Sequence, residues 1–263
     1  QTDVAIISAN DQYGQIMFGD PQDDNIGSIG YNHTTDAMEF TTNTALRFRI
    51  SSDGSLSTPT AGTSNVRFGV NAGNSITSGG NYNVTVGDEA GTAITTGDNN
   101  TAVGYQAGAG TVTTGSSSFF GYQAGLVSDA PGNNFFGYAA GAATTSGLNN
   151  VAMGNLALYT NVDGDDNTAI GSNALRNLEP DDGSSYNTAV GSQAGFAVTT
   201  GEKNTLIGSL AGDALTDADF NVAIGSSALS SDTLGSKSIA IGRFALNTQN
   251  FTSATDTYNT AVG

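Results

Sequence analysis

The chain has 263 residues, 36 of them glycine, with no cysteine or tryptophan and only 12% charged residues, a composition that argues against one large packed core and against long helices. Seven Lys and Arg against 24 Asp and Glu leave a formal charge of −17, which argues against nucleic acid or an anionic membrane as partner, because both need phosphate neutralised by cations. No run reaches the roughly 18 consecutive apolar residues of a membrane span, so membrane insertion is not expected.

Residues 1–59 read as a small β-rich module of hairpins. Short apolar runs at 4–7, 15–18, 26–29, 37–40 and 46–50 alternate with turn sequences such as Gly19-Asp20-Pro21 and Asn32-His33-Thr34, which predicts five short strands. In the last of them Leu46, Phe48 and Ile50 alternate with Arg47 and Arg49, giving one apolar and one polar face. Residues 51–55 are a turn, and residues 60–64 lie in a Ser/Thr/Gly-rich connector.

From residue 65 to 263 the chain is a repeat. Anchored on a glycine that follows a large apolar residue, twelve copies run from Gly69 to Gly263 at intervals of 16 to 21 residues, most of them 17, the mark of a stacked solenoid. Asn100, Val103, Gly104 and Ala107 define one copy; Asn167, Ile170, Gly171 and Ala174 another; Asn221, Ile224, Gly225 and Ala228 a third. Alanine stands three residues after the glycine in all eleven complete copies, and asparagine four residues before it in ten of twelve, Ser117 and Ser238 being the exceptions.

The segment between asparagine and glycine alternates, so its first and third residues share one face and the middle residue takes the other. One face holds pairs such as Thr101 with Val103 and Ile239 with Ile241; the other is mostly alanine, but Phe119 and Phe135 in two adjacent copies. A strand apolar on both sides is no solvent-facing edge: one face fills the coil, and the half-buried alanine face is expected to meet a partner surface. About 17 residues suit two strands and two connections, and the asparagines are expected to form a side-chain ladder or to cap a turn. The fold class that follows is all-β: a short-coil parallel β-roll or solenoid of about twelve repeats behind a small β module. Self-association about a common axis is the simplest way to cover the remaining face.

The motif N-T-A-[VI]-G-x-x-A-[LG], as in Asn221-Val222-Ala223-Ile224-Gly225 and Ser238-Ile239-Ala240-Ile241-Gly242, resembles the head repeat of trimeric autotransporter adhesins, and more closely the longer repeats of marine bacteriophage tail fibres. The segments at 14–23, 29–33 and 47–50 resemble a module common in such fibres. The resemblance covers about three quarters of the chain. It implies an elongated homotrimer in a virion tail appendage, joined to other tail or fibre proteins, that attaches multivalently to a glycan or protein receptor on a bacterial surface. In such fibres a C-terminal self-cleaving chaperone often drives trimerisation; one belonging to this chain would lie beyond Gly263, and a chain that starts without methionine and ends inside a repeat is expected to be a segment of something longer. The alternatives are a bacterial trimeric adhesin or extracellular filament and, from another class, a glycan-depolymerising fibre; an ice-binding solenoid fits less well, because regular Thr-x-Thr rows are missing.

No catalytic residue is assigned. His33 is the single histidine and has no nucleophile motif near it. The carboxylates of the longer connections suit turn formation and solubility; among them Asp163, Asp165 and Asp166 are the candidates for calcium, though the complete loop pattern is absent and no cofactor is expected. Tyr105, Tyr122 and Tyr138, each directly after a repeat glycine, are candidates for receptor contact, as are Asp181 and Tyr186 in the longer interval at 176–186. A second long interval lies at 247–258.

Overall fold

Short alternating strands joined by turns build an antiparallel sheet at the N-terminal end. In the computed structural model, which describes residues 6–9, 11–22, 26–59, 61–180, 183 and 185–263, β1 (Tyr13–Phe18), β2 (Gly27–Asn32), β3 (Ala37–Thr42), β4 (Ala45–Ile50) and β5 (Leu56–Ser57) pair in chain order. The run expected at 4–7 is no strand where it is described, at Ile6 and Ile7, and residues 4 and 5 lie outside the described residues. The fifth strand is instead Leu56–Ser57, beyond the turn, where Leu56 pairs with Ile50. Register aligns Ile16, Ile29, Phe40 and Phe48 in one row across the sheet, with the Phe40 and Phe48 rings 5.6 Å apart. Among the described residues that face has no second layer: Ile16, Phe18 and Ile29 stay exposed.

The repeats form a parallel β-solenoid of about eleven turns. Twelve strands lie in sequence order in one sheet: β6 (Val66–Phe68), β7 (Val84–Val86), β8 (Thr101–Val103), β9 (Ser118–Phe120), β10 (Asn134–Phe136), β11 (Val151–Met153), β12 (Thr168–Ile170), β13 (Thr188–Val190), β14 (Thr205–Ile207), β15 (Val222–Ile224), β17 (Ile239–Ile241) and β19 (Thr260–Val262). Each residue sits over its equivalent in the next coil, as in Ala152 over Ala169 and Ala169 over Ala189. At the usual strand spacing the stack is about 50 Å long.

Most coils contain one strand, not the two expected. Among the described residues only β16 (Gly235–Ser236) and β18 (Thr255–Asp256) add a second parallel pair. The physical reason lies after the glycine, where the chain twice enters the left-handed region. In the coil of β8 these points are Gln106 (φ 54°) and Gly108 (φ 56°), and in the coil of β11 they are Leu156 (φ 54°) and Leu158 (φ 52°). The backbone still bonds from coil to coil there, as from Gly108 N–H to Ala124 O at 2.9 Å, but in turns rather than in a ladder.

The alanine faces point inward, which corrects the expectation that they meet a partner. Ala102, Ala152 and Ala169 in the strands, and Ala107 and Ala174 after the glycine, are all buried in the coil. A coil this flat has room for a methyl group at most positions. Larger side chains enter where a neighbour gives way: Phe119 and Phe135 fill the interior beside Gly108, Gly125 and Gly141, and Leu206 does so between Gly195 and Gly212. Where the residue after the conserved alanine is leucine, as at Leu158, Leu175 and Leu229, that leucine supplies the core volume itself.

Two columns fix the spacing. The repeat glycines stack so closely that a Cβ on Gly104 would lie 2.5 Å from Gly121 O, at a φ of +128° that side-chain-bearing residues rarely adopt. The buried asparagines form the expected ladder: Asn150 Oδ1 accepts the Asn167 N–H at 2.9 Å while its Nδ2 donates to Gly164 O at 2.7 Å, and Asn204 and Asn221 do the same in their coils. Ser238 breaks the column, and the long connection at 247–258 restores the missing amide, with Gln249 Nε2 donating to Ser238 Oγ at 2.9 Å and to Asp232 Oδ2 at 2.5 Å. In the other long interval Ser185 Oγ takes a bond from Asn167 Nδ2 at 2.6 Å.

Candidate functional site

With alanine inside, the other strand face is what the solenoid presents outward. The residue before each repeat glycine is large, apolar and at least partly exposed: Met153 is 42% and Ile207 38% exposed, whereas Ala152 and Leu206 beside them are fully buried. Phe68, Phe120, Ile170 and Ile241 continue the same stripe, in which Phe120 and Phe136 stack 4.8 Å apart with planes 7° from parallel. A continuous apolar stripe along every coil is larger than the scattered apolar surface ordinary for a solitary domain. The N-terminal sheet adds an apolar groove of about 580 Å³ walled by Phe18, Ile26, Ile29 and Phe40.

The three tyrosines named from sequence form a single ladder. Tyr105 and Tyr122 stack at 5.4 Å, and Tyr122 and Tyr138 at 5.1 Å with planes 4° apart. Their faces cover one another, so the middle of the ladder offers solvent ring rims, and Tyr138, the last rung, has one face without another ring on it. Tyr186 is not part of this ladder. It stands at the corner before the asparagine, in a left-handed conformation, where Lys203 Nζ lies 5.9 Å from its ring and 5.3 Å from that of Phe220; Lys237 and Tyr258 continue that corner at 5.3 Å. Lysine carries ion pairs here as well, Lys203 with Glu202 and Lys237 with Asp256.

Of the acidic candidates, Asp165 has its carboxylate tied to the backbone. Asp165 Oδ1 accepts the Leu148 N–H at 2.7 Å from the coil before, and Asp166, exposed at φ +57°, donates its own N–H to Leu148 O. Asp98, Asp129 and Asp219 accept N–H groups of preceding coils in the same way, at 2.6 to 2.8 Å. Asp163 has a buried Oδ1 without a hydrogen bond and stands near Glu179. Burial pushes the Glu179 carboxyl above its ordinary range, the Val162 N–H it accepts opposes this, and Asp163 adds repulsion. No group of three or more His, Cys, Asp or Glu side chains converges among the described residues, and Asp181 lies outside them.

Sequence reasoning missed Arg176, which lies between the rings of Tyr159 and Phe196 at 5.8 Å from each. The signal was available once copies are aligned on the glycine: Tyr159, Arg176 and Phe196 each stand five residues after it, in three consecutive coils. Comparison with protein-family models, curated proteins and solved structures gives no match. The class of protein is therefore defined by its own geometry: a glycine- and asparagine-stapled parallel β-solenoid behind a small antiparallel sheet.

Proposed function

We propose that this chain is a structural fibre segment that assembles with copies of itself, as a homotrimer in a viral tail or a similar appendage, and holds weak binding surfaces in multiple copies toward a bacterial envelope. The observation that carries it is the outward apolar stripe on a solenoid whose own core is already closed by alanine. A coil that needs no outside help to bury its interior, yet repeats a large apolar residue on its exterior, has that residue for an intermolecular contact. The uncovered apolar face of the N-terminal sheet supports the same reading. Rigid stacking then fixes the separation of weak sites, so that avidity supplies attachment.

Light scattering on a size-exclusion column tests the assembly. A mass near three chains, unchanged by EDTA and reduced to one chain by Met153→Asp with Ile207→Asp, is the expected result. A monomer at all concentrations sinks the self-association, and a trimer that dissociates in EDTA makes the acidic connections, rather than the stripe, the source of cohesion.

A further inference from the structure

Between the tyrosine ladder and the Tyr159–Arg176 stack lies a groove of about 550 Å³. Gln123, Tyr138, Leu156, Tyr159, Thr160 and Arg176 wall it, Leu126 and alanines complete it, and among the described residues no carboxylate lines it. It spans three coil steps, about 14 Å at the usual strand spacing. Its existence follows from the repeat. At five residues past the glycine the column runs Leu126, Ala142, Tyr159, Arg176, so Tyr159 has the guanidinium on one side and only a methyl group on the other. On the facing column Tyr138 ends its ladder and is followed by Asn155, so its outer face also lacks a ring.

Arg176 is the unusual member. In a chain of charge −17 it makes no ion pair with any described residue, and its Nε is buried without a hydrogen-bond partner. The rings of Tyr159 and Phe196 flank its planar guanidinium, which leaves the N–H groups at its edge for a bidentate acceptor. A volume within the range of small-molecule sites, aromatic faces, acceptor oxygens at Gln123 and Thr160, whose own donors are spent on Gln106 Oε1 and on the Arg176 and Leu178 carbonyls, and one unpaired cation together describe a sugar with one negative charge.

We infer that this groove binds a carboxylated sugar, a uronic acid unit of a surface glycan, with its carboxylate on Arg176 and its ring against Tyr159 and Tyr138. Carboxylate fits better than phosphate because the groove supplies a single cation, with no second basic group to meet a dianion. As the ligand of the attachment surface this rests on the fibre reading, but the binding itself needs only four coils of one chain and can be measured on monomer or trimer alike.

Titration calorimetry of the full 263-residue chain with methyl β-D-glucuronide, methyl β-D-glucoside and inorganic phosphate tests it. Glucuronide is expected to bind at least tenfold more tightly than either of the others. Arg176→Gln should weaken it at least tenfold with the glucoside unchanged, and Arg176→Lys, which keeps the charge but not the fork, should fall between. Equal binding of glucuronide and glucoside overturns the inference, as does phosphate binding as well as glucuronide, or no glucuronide heat at millimolar concentration. If Arg176→Gln lowers the assembled mass instead of the sugar affinity, the groove is a subunit contact and the proposal fails. Should Arg176→Gln unfold, the discrimination among the three ligands by the unaltered chain still decides the matter.

Discussion

The N-terminal sheet and the solenoid are both built from short strands with one apolar face, yet they bury that face in opposite ways. The solenoid curls each coil around its own interior, so Ala102, Phe119 and Leu206 are enclosed by the chain that carries them. The sheet is a single layer, and the row of Ile16, Ile29, Phe40 and Phe48 is left partly open on one side. Closure within a coil makes stability a sum over neighbouring coils, whereas a single-layer sheet depends on whatever covers it.

The largest break in this comparison should come from the glycine column. In Gly225→Ala the new Cβ would lie 2.5 Å from Gly242 O at a φ of +132°, and the nearest atoms it meets are all backbone of the next coil. A loss of roughly 5 kcal/mol is expected in denaturant melts of the solenoid. Next comes the ladder: Asn204→Ala leaves the Asn221 N–H and the Ala218 carbonyl without their buried partner, at a cost of about 3 kcal/mol, and hydrogen exchange should quicken first at Asn221. On the sheet, by contrast, Ile29→Ser removes a side chain that is already 37% exposed. It should cost under about 1 kcal/mol in an isolated chain while weakening association, seen as a lower mass at equal concentration. If Ile29→Ser instead destabilises the monomer as much as Asn204→Ala does, the sheet buries its face internally and the contrast collapses.

The smallest effect sharpens the picture from the electrostatic side. Burial raises the Asp213 carboxyl above its ordinary range, so ionised Asp213 opposes folding at neutral pH. The folded state then binds the proton more readily than the unfolded state, and this contribution favours folding as pH falls through the raised value. Asp213→Asn should therefore lift the melting midpoint slightly at pH 7 and flatten that acid-side gain. An unchanged midpoint, followed by circular dichroism between pH 4 and 7, would place the carboxylate in water.

The period, the strand at each asparagine and the bend at each glycine were legible because each needs a residue type at a fixed interval. Which strand face looks inward was not, since Ala102 and Val103 are both apolar and alternation alone does not rank them; the thinness of the coil decides in favour of the smaller. The extra left-handed turns were hidden because Gln106, Leu156 and Leu158 adopt positive φ without being glycine. Phe119 fits inside only because Gly108 and Gly125 vacate space for it, a match between residues that sequence spacing does not bring together. The Arg176 groove becomes legible only when the copies are aligned on the glycine, because it arises from what neighbouring coils place beside it, alanine at 142 and the end of a tyrosine row at 138.

Because each coil is fastened to the next by the same columns, the solenoid has a mechanical signature. Pulled by its ends along the stack, it should come apart one coil at a time, each release lengthening the chain by about 55 Å for 17 residues. The coils that end at Gly191 and Gly263 are 20 and 21 residues long and would give longer steps. A force trace would then read as a ruler with two wide divisions, reporting which end of the molecule yields first.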